Sequence, residues 1–336
     1  MSKRYDLPIP FGWYCVSFSD ELKAGDVKPV KYFGRELVLF RTESGEAKLL
    51  DAYCPHLGAH LGHGGKVRGE SIACPFHGWE FNGGGQCTAV PYAKNMPPKV
   101  AGGKQAIHAY PVVERNQVVW AWYHPQNIAP LFEVHELAEL SSSEWTSLQR
   151  RHWVINTTIQ ETAENAADAA HFLFTHNAAE MPQGTPEFNG HKRRAVYHSE
   201  VHVMNEDGTY DVASSKLRSS MVDTNNCGPG QTWQIFTGLV ETLLMGLVTP
   251  IDDQTVILHF AFTQPKSLSE EKQMIAKMTI DELSLQVEQD IPIWEHKVYL
   301  ENPTLCDSDG PINQYRKWFR QFYAEGAEPS NVRAVS

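Results

Sequence analysis

Two short loops that each carry a cysteine and a histidine constrain this chain more than any other feature of its sequence. One residue separates Cys54 from His56, and two residues separate Cys74 from His77. A proline follows each cysteine, and a glycine follows each histidine within two positions. Because thiolates and imidazoles are metal ligands, the sequence predicts that the two loops meet around one metal centre.

Two kinds of metal centre fit this set of ligands. Two thiolates and two imidazoles complete a tetrahedral structural zinc site. A Rieske [2Fe–2S] centre takes two cysteines on one iron and two histidines on the other, so each loop supplies one sulfur and one nitrogen. The spacing C-x-H with C-x2-H favours the Rieske centre. The full pattern, C-P-H-x-G and C-P-x-H-G-W, also resembles the Rieske family signature. This resemblance implies that the cluster ligands are Cys54, His56, Cys74 and His77.

A second group of candidate ligands follows in the order D-x2-H-x4-H, with Asp168, His171 and His176. On an ideal helix the first two share a face, whereas His171 and His176 are about 140° apart. Both histidines can therefore reach one metal only if the helix ends or bulges between them. Two neighbouring histidines do not by themselves identify a metal site.

A carboxylate on a later predicted helix adds to this group. Asp290 falls on an apolar stripe at helical spacing, formed by Ile280, Leu283, Val287, Ile291 and Trp294. A carboxylate on a buried face is destabilising by several kcal/mol unless it is paired or bound to metal. One interpretation is an ion pair with a basic residue such as Lys297. The other is a site with His171 and His176, since two histidines and one carboxylate are the ligands of non-haem Fe(II) oxygenases.

The segment 164–176 resembles the mononuclear-iron motif of the Rieske oxygenases, through Glu164-Asn165, Asp168, His171 and His176. Asp290 matches the position of the family's distant third ligand. The resemblance implies that Asp168 is not a ligand but a bridge that links His77 of a neighbouring subunit to His171. It also places Asn165 near the iron. A homotrimer is expected because the family's electron path crosses a subunit boundary.

The C-terminal third narrows the resemblance. Its segments look like the 3-ketosteroid 9α-hydroxylase oxygenase group and its sterol-desaturase relatives, at residues 287–297, 302–303, 309–311 and 316–323. The resemblance implies an oxygenase component that hydroxylates a steroid-like or other polycyclic hydrophobic substrate with O2. Its electrons are expected from a separate NAD(P)H reductase, possibly with a ferredoxin. An aromatic-ring dioxygenase or an O- or N-demethylase of the same family remains open, as does a Rieske electron carrier or zinc-binding protein without oxygenase activity.

The hydrophobic pattern predicts an α+β chain with two domains. Short β-rich runs divided by turns, such as 27–33, 36–41 and 47–53, fill residues 12–124, and a polar turn over 114–117 joins the last two runs. They predict an all-β Rieske domain over residues 1–125. Residues 126–336 are expected to form an α+β catalytic domain, an antiparallel sheet flanked by helices in a helix-grip arrangement. In that domain we predict a helix over 154–174, hairpins over 194–222 and 242–263, and a long helix that begins at a capping box of Ser267 and Glu270.

Composition excludes several other classes of function. The formal net charge of −11 argues against a nucleic-acid partner, because phosphate binding relies on clustered basic residues. Six cysteines are too few for a disulfide scaffold of this length, and we expect them to be reduced. No secretory signal and no membrane span is predicted, because the most apolar stretch, 239–251, is too short to cross a bilayer. A cytoplasmic enzyme is therefore expected.

Overall fold

The polypeptide divides into two units. The computed structural model describes residues 4–178, 180–202, 217–238 and 240–325. One unit consists mainly of residues 8–134, and the other mainly of residues 135–248 and 254–323. Within the described ranges, none of the helices combines the length and the apolar character that a membrane crossing needs.

The N-terminal unit is built from antiparallel strands. They are β1 (Gly12–Phe18), β2 (Val27–Tyr32), β3 (Arg35–Arg41), β4 (Ala47–Asp51), β5 (Lys66–Arg68), β6 (Ser71–Ala73), β7 (Glu80–Asn82), β8 (Cys87–Ala89), β9 (Ala109–Tyr110), β10 (Val112–Arg115) and β11 (Val118–Tyr123). They form three sheets in the orders β1-β11-β10, β2-β3-β4-β9 and β5-β6-β7-β8. The two cysteine–histidine loops leave this framework after β4 and after β6. The all-β prediction for this part of the chain is confirmed.

One predicted turn in this unit is shorter than expected. The sequence suggested a four-residue turn over 114–117, but β10 continues to Arg115 and only two residues connect it to β11. Asn116 and Gln117 both have positive φ, at 59° and 62°. Two-residue hairpin turns favour this left-handed geometry because it matches the twist of the flanking strands.

The second unit is an antiparallel sheet with helices against it. Its strands are β12 (Gln149–Ile155), β13 (Pro186–Asn189), β14 (Lys192–His202), β15 (Leu217–Cys227), β16 (Gln231–Thr237), β17 (Thr242–Pro250) and β18 (Val256–Thr263), in the order β12-β18-β17-β16-β15-β14-β13. Its helices are α1 (Ile159–Glu164), α2 (His171–Phe174), α3 (Glu270–His296) and α4 (Ile312–Phe319). Leu244 and Phe262 on the sheet bury together with Ile280 of α3. The α+β prediction with a helix-flanked sheet is confirmed.

The predicted helix over 154–174 is correct in part, because the segment is helical over three short stretches and not continuously. Strand β12 runs to Ile155, where it pairs with Val256 of β18, and the only regular α-helical turns are the short α1 and α2. A 3₁₀ turn follows α1 over Asn165–Ala167, and Asp168 is extended, with φ −95° and ψ 97°. Aromatic and β-branched residues at the start of this stretch favour a strand that gains a neighbour in the sheet.

The other predictions for this unit need smaller corrections. The N-cap of α3 is Ser269, whose side chain accepts from the Lys272 backbone N–H, so the expected capping box of Ser267 and Glu270 does not form. The hairpin over 242–263 corresponds to β17 and β18, which are neighbours in the sheet. The hairpin over 194–222 corresponds to β14 and β15, and its predicted turn at 206–208 lies outside the described residues.

Candidate metal centres

The two cysteine–histidine loops have the same backbone geometry. In one, the Gly58 N–H donates to the Cys54 carbonyl at 2.9 Å, and in the other the Gly78 N–H donates to the Cys74 carbonyl at 3.0 Å. Both glycines have positive φ, at 75° and 70°. Glycine adopts this conformation without the steric strain that a Cβ would add. Each loop therefore turns back on itself directly after its histidine.

The four predicted cluster ligands come together between these loops. Burial raises the pKa of the Cys54 thiol to about 11, although the backbone N–H groups of His56 and Leu57 hydrogen-bond the sulfur, and Cys74 is its side-chain neighbour. The His56 and His77 rings are 4.8 Å apart. His77 Nδ1 is buried and has no hydrogen-bond partner among the described residues. Two buried thiols, N–H groups aimed at sulfur and an unpartnered imidazole nitrogen fit a Rieske cluster.

An aromatic pair packs against this centre. The Trp79 ring stacks on His56, with 4.6 Å between centroids and 7° between planes. Its indole N–H donates to the Tyr92 hydroxyl at 2.9 Å. Trp79 therefore restricts the orientation of one candidate ligand. Tyr92 was not identified from the sequence, because it lies 13 residues from its partner in a segment without a motif.

The second candidate centre depends on the two helix interruptions described above. Helix α1 ends at Glu164, the 3₁₀ turn carries Asn165, and the extended Asp168 redirects the chain before α2 begins at His171. Helix α2 ends at Phe174, before His176. The requirement that the helix end between the two histidines is therefore met. Asp168 lies outside both helices, so it does not share a helix face with His171.

His171, His176 and Asp290 form a group whose potential ligand atoms all lie within 4.8 Å of one another. The Nε2 atom of His176 is 3.4 Å from Oδ1 of Asp290. Ligand atoms about 2.1 Å from one metal and at right angles are about 3 Å apart. Burial raises the pKa of Asp290, against the opposing effect of the histidines and Asn165. Two imidazoles and a buried carboxylate at this spacing fit a divalent metal with open coordination positions.

The alternative partner for Asp290 is engaged elsewhere. Lys297 forms an ion pair with the buried Glu161. Asn165 instead contacts the metal-binding group: its amide nitrogen donates to Asp290 Oδ2 at 2.9 Å and lies 3.2 Å from His171 Nε2. Asn165 therefore lies beside two of the three candidate iron ligands, in the region that the resemblance to the Rieske oxygenases implies.

Asp168 lies beside this group without joining it. Its Oδ1 accepts from the backbone N–H groups of Ala170 and His171, at 3.1 and 3.3 Å, and is 3.9 Å from His171 Nδ1. Burial raises its pKa, but hydrogen bonding and charge from His171 outweigh this effect and lower the pKa overall. The carboxylate is 40% exposed and lines a groove of about 270 Å³ together with Glu164, Lys297 and Arg316. The Asp168 carboxylate is thus ionised. One of its oxygens is hydrogen-bonded at the His171 backbone, and part of the group is exposed to solvent.

Hydrogen bonds at Nδ1 fix both histidines of this group. His171 Nδ1 is 2.5 Å from the Asp168 carbonyl oxygen, and His176 Nδ1 is 2.8 Å from the Gln289 side-chain carbonyl. An imidazole that donates from Nδ1 leaves the lone pair of Nε2 for a metal. Gln289 was not identified from the sequence, because a polar residue beside an apolar helical stripe carries no distinguishing signal.

Comparison with known families agrees with both centres. Residues 12–111 match the model of the Rieske [2Fe-2S] domain, and residues 121–323 match the 3-ketosteroid 9alpha-hydroxylase C-terminal domain. A 3-ketosteroid-9-alpha-monooxygenase oxygenase component of Rhodococcus rhodochrous is 32% identical over 331 residues, which cover 94% of this chain and 81% of that protein. The chain belongs to the Rieske non-haem iron oxygenases.

Other members of the family are similar over nearly the whole chain. A cholesterol 7-desaturase of Xenopus laevis is 32% identical over 340 residues, covering 95% of this chain and 72% of that protein. Among solved structures, Pseudomonas putida CBB5 NdmA with caffeine matches with a TM-score of 0.72 and 22% identity, covering 92% of this chain and 89% of that one. Apo dicamba monooxygenase gives 0.71 and 15%, with 94% and 97% covered. These structures share the Rieske oxygenase fold.

Proposed function

We propose that this Rieske oxygenase is the terminal component of a multicomponent monooxygenase. It would use O2, and electrons from a separate NAD(P)H reductase, possibly with a ferredoxin, to hydroxylate a steroid-like or other polycyclic hydrophobic substrate. Residues 1–125 would serve as the electron-accepting domain and residues 126–336 as the catalytic domain. The observation that carries the proposal is the group of His171, His176 and Asp290 in a chain that also carries a Rieske domain.

The two metal sites have different proposed roles. We assign Cys54, His56, Cys74 and His77 to the cluster, and His171, His176 and Asp290 to Fe(II). When bound, these groups supply one-electron transfer and O2 activation. The protein contributes orientation: backbone N–H groups hydrogen-bond the Cys54 sulfur, and Asn165 holds Asp290 beside His171.

Asp168 is proposed as the link between the two sites. Its ionised carboxylate is anchored at the His171 backbone and lies close to that ring, while its exposed side faces the groove. A neighbouring subunit that presents its own His77 at this groove would complete a hydrogen-bonded path to His171. The proposed assembly is therefore a homotrimer.

An apolar substrate would bind at the margin of the apolar cluster between the sheet and α3, where Phe236, Phe260 and Leu283 are only partly buried. Ile280 and Leu283 lie on the same stripe of α3 as Asp290, and the sheet presents Phe236, Leu244, Phe260 and Phe262 against them. Gln234 pairs with Leu244 across β16 and β17, so its side chain emerges on this same face. Its Oε1 atom is buried and accepts no hydrogen bond from the described residues. A substrate hydroxyl would supply the missing donor.

We expect Gln234→Leu to have opposite effects on stability and substrate binding. Removing a buried side-chain oxygen that has no hydrogen-bond partner among the described residues should leave the melting temperature unchanged or raise it, since such a group is destabilising by about 1–3 kcal/mol. The KM for a hydroxylated polycyclic substrate should rise about 10-fold or more, because one hydrogen bond in a desolvated site is lost. Thermal unfolding and steady-state kinetics measure the two effects.

Gln231→Leu on the same strand is the matched control. Gln231 makes two backbone hydrogen bonds to His135, both at 2.8 Å, so its replacement should lower the melting temperature. An unchanged KM in Gln234→Leu would remove this residue from the substrate site.

Sterol desaturation is the second candidate reaction. It is favoured by the 32% identity with cholesterol 7-desaturase over 95% of this chain. Both reactions begin with oxidation at a C–H bond of a polycyclic substrate and require the same metal sites. They differ in the product, which gains an oxygen atom in hydroxylation and loses two hydrogens in desaturation.

Two measurements on the purified protein test the proposal. The dithionite-reduced protein should give the EPR signal of a Rieske centre, whose histidine ligation raises its potential relative to plant-type clusters. Turnover with a surrogate reductase and a panel of 3-ketosteroids, sterols and aromatic compounds should then give a product with one ¹⁸O atom from ¹⁸O2. A zinc protein without iron would overturn the whole assignment. A Rieske signal without product from any compound of the panel would indicate that the protein is an electron carrier and not an oxygenase.

A further inference from the structure

Among the residues that the structure describes, the Gln289 side chain is the hydrogen-bond partner of the His176 Nδ1 nitrogen. Its carbonyl oxygen is 2.8 Å from His176 Nδ1, and the next residue of α3 is Asp290. Consecutive residues of one helix thus place the acceptor for a candidate histidine ligand and the candidate carboxylate ligand at the same site. The His176 side chain is 3% exposed, so bulk water does not replace this contact.

We propose that Gln289 is a positioning residue that holds His176 in the tautomer with a free Nε2 lone pair. The proposal rests on the iron site assigned above. In the orientation that the structure gives Gln289, the side-chain carbonyl faces Nδ1 and can only accept, so Nδ1 carries the hydrogen and Nε2 is left unprotonated. The other histidine, His171, obtains the same restraint from a backbone carbonyl, which no substitution removes.

The neutral amide also sets the charge of the site. Two neutral imidazoles and one carboxylate leave a divalent metal with a net charge of +1. A carboxylate at position 289 would bring the site close to neutrality, and acidic partners of a ligating imidazole increase its basicity. Glutamine therefore orients the ring without neutralising the metal.

Three variants test this role through metal binding. Protein with an intact cluster but stripped of mononuclear metal is titrated with Co²⁺ by equilibrium dialysis. Gln289→Leu, which keeps the approximate volume but removes the acceptor, should weaken Co²⁺ binding about 10–100-fold, the usual effect of losing such a partner. Gln289→Glu should bind Co²⁺ at least as tightly as the wild type. Gln286→Leu, the same change three residues earlier on α3, should have no effect.

A tautomer measurement gives a second readout that packing alone would not change. In metal-free protein labelled with ¹⁵N-histidine, the His176 signals should show a protonated Nδ1 in the wild type and in Gln289→Glu, and a mixture of tautomers in Gln289→Leu. A wild-type affinity and tautomer in Gln289→Leu would overturn the inference. If His176→Ala itself leaves Co²⁺ binding unchanged, the iron site as assigned is wrong, which separates that failure from failure of the Gln289 role.

Discussion

Asp290→Ala is expected to abolish product formation while leaving the Rieske spectrum intact. The substitution removes the only carboxylate of the three-residue group formed by His171, His176 and Asp290. Loss of a hydrogen-bond partner of a ligand already weakens metal binding about 10–100-fold. Loss of a ligand itself should therefore reduce turnover by at least about 100-fold. Iron analysis should give two irons per chain instead of three, and the reduced EPR signal of the cluster should be unchanged.

The matched control is Asp281→Asn on the same helix. Asp281 is half-exposed and pairs with Lys277 at the surface. The iron content and turnover of the Asp281→Asn variant should therefore equal those of the wild type. If Asp290→Ala kept its third iron and its activity, Asp290 would be a buried hydrogen-bond partner of Asn165. The carboxylate ligand would then have to be found elsewhere.

We expect the Asp168→Asn variant to keep a reducible cluster but to form product much more slowly than the wild type. The amide keeps the size of the side chain but removes the negative charge that lies 3.9 Å from His171 Nδ1. Both metal sites should still fill, because the Asp168 backbone carbonyl that contacts His171 Nδ1 remains. Electron transfer between the sites should slow by about 100-fold, because the charged carboxylate of the proposed link is lost. In a single turnover with substrate and O2, the reduced Rieske absorbance should persist in the variant and disappear in the wild type.

Asp309→Asn provides a comparison within the same groove. Asp309 lines that groove, but its carboxylate accepts a hydrogen bond from the Cys306 backbone N–H, at 2.7 Å, within its own loop. Its replacement should leave reoxidation of the cluster fast. Fast reoxidation with normal product yield in Asp168→Asn would exclude the bridging role. Dilution to monomers should also slow product formation if the path crosses a subunit boundary.

The fold was predictable where local pattern and tertiary structure agree. The runs at 27–33, 36–41 and 47–53 appear as β2, β3 and β4 with ends shifted by at most two residues. The long helix was predictable from its apolar stripe. Its first residue was not, because Ser267 and Ser269 are both plausible caps and only the path of the preceding chain selects Ser269.

The prediction of one continuous helix over 154–174 failed for a physical reason. Parts of the segment are helical as α1 and α2, but its first two residues pair with β18 as the end of β12, and the extended Asp168 interrupts the helical path. Tertiary contacts therefore decide its structure, in the region where the candidate ligands are positioned. The predicted ligand groups come together as the motifs suggested, since their spacing encodes chemistry. The roles of Gln234, Gln289 and Tyr92 depend on strand register, on a helix-to-loop contact and on loop packing, respectively, which a single sequence does not reveal.

Helix α3 has a consequence for regioselectivity. Leu283 packs in the apolar cluster that includes Leu244, the cross-strand neighbour of Gln234, and Asp290 follows seven residues later. Seven residues of α-helix span about 10 Å. If Gln234 anchors the substrate as proposed above, α3 would help to set the distance between that anchor and the proposed iron site. Substrates whose oxygen lies one ring closer to or farther from the reactive carbon should therefore be oxidised at a different carbon, whereas small side-chain changes along the cluster should alter the rate and leave the position unchanged.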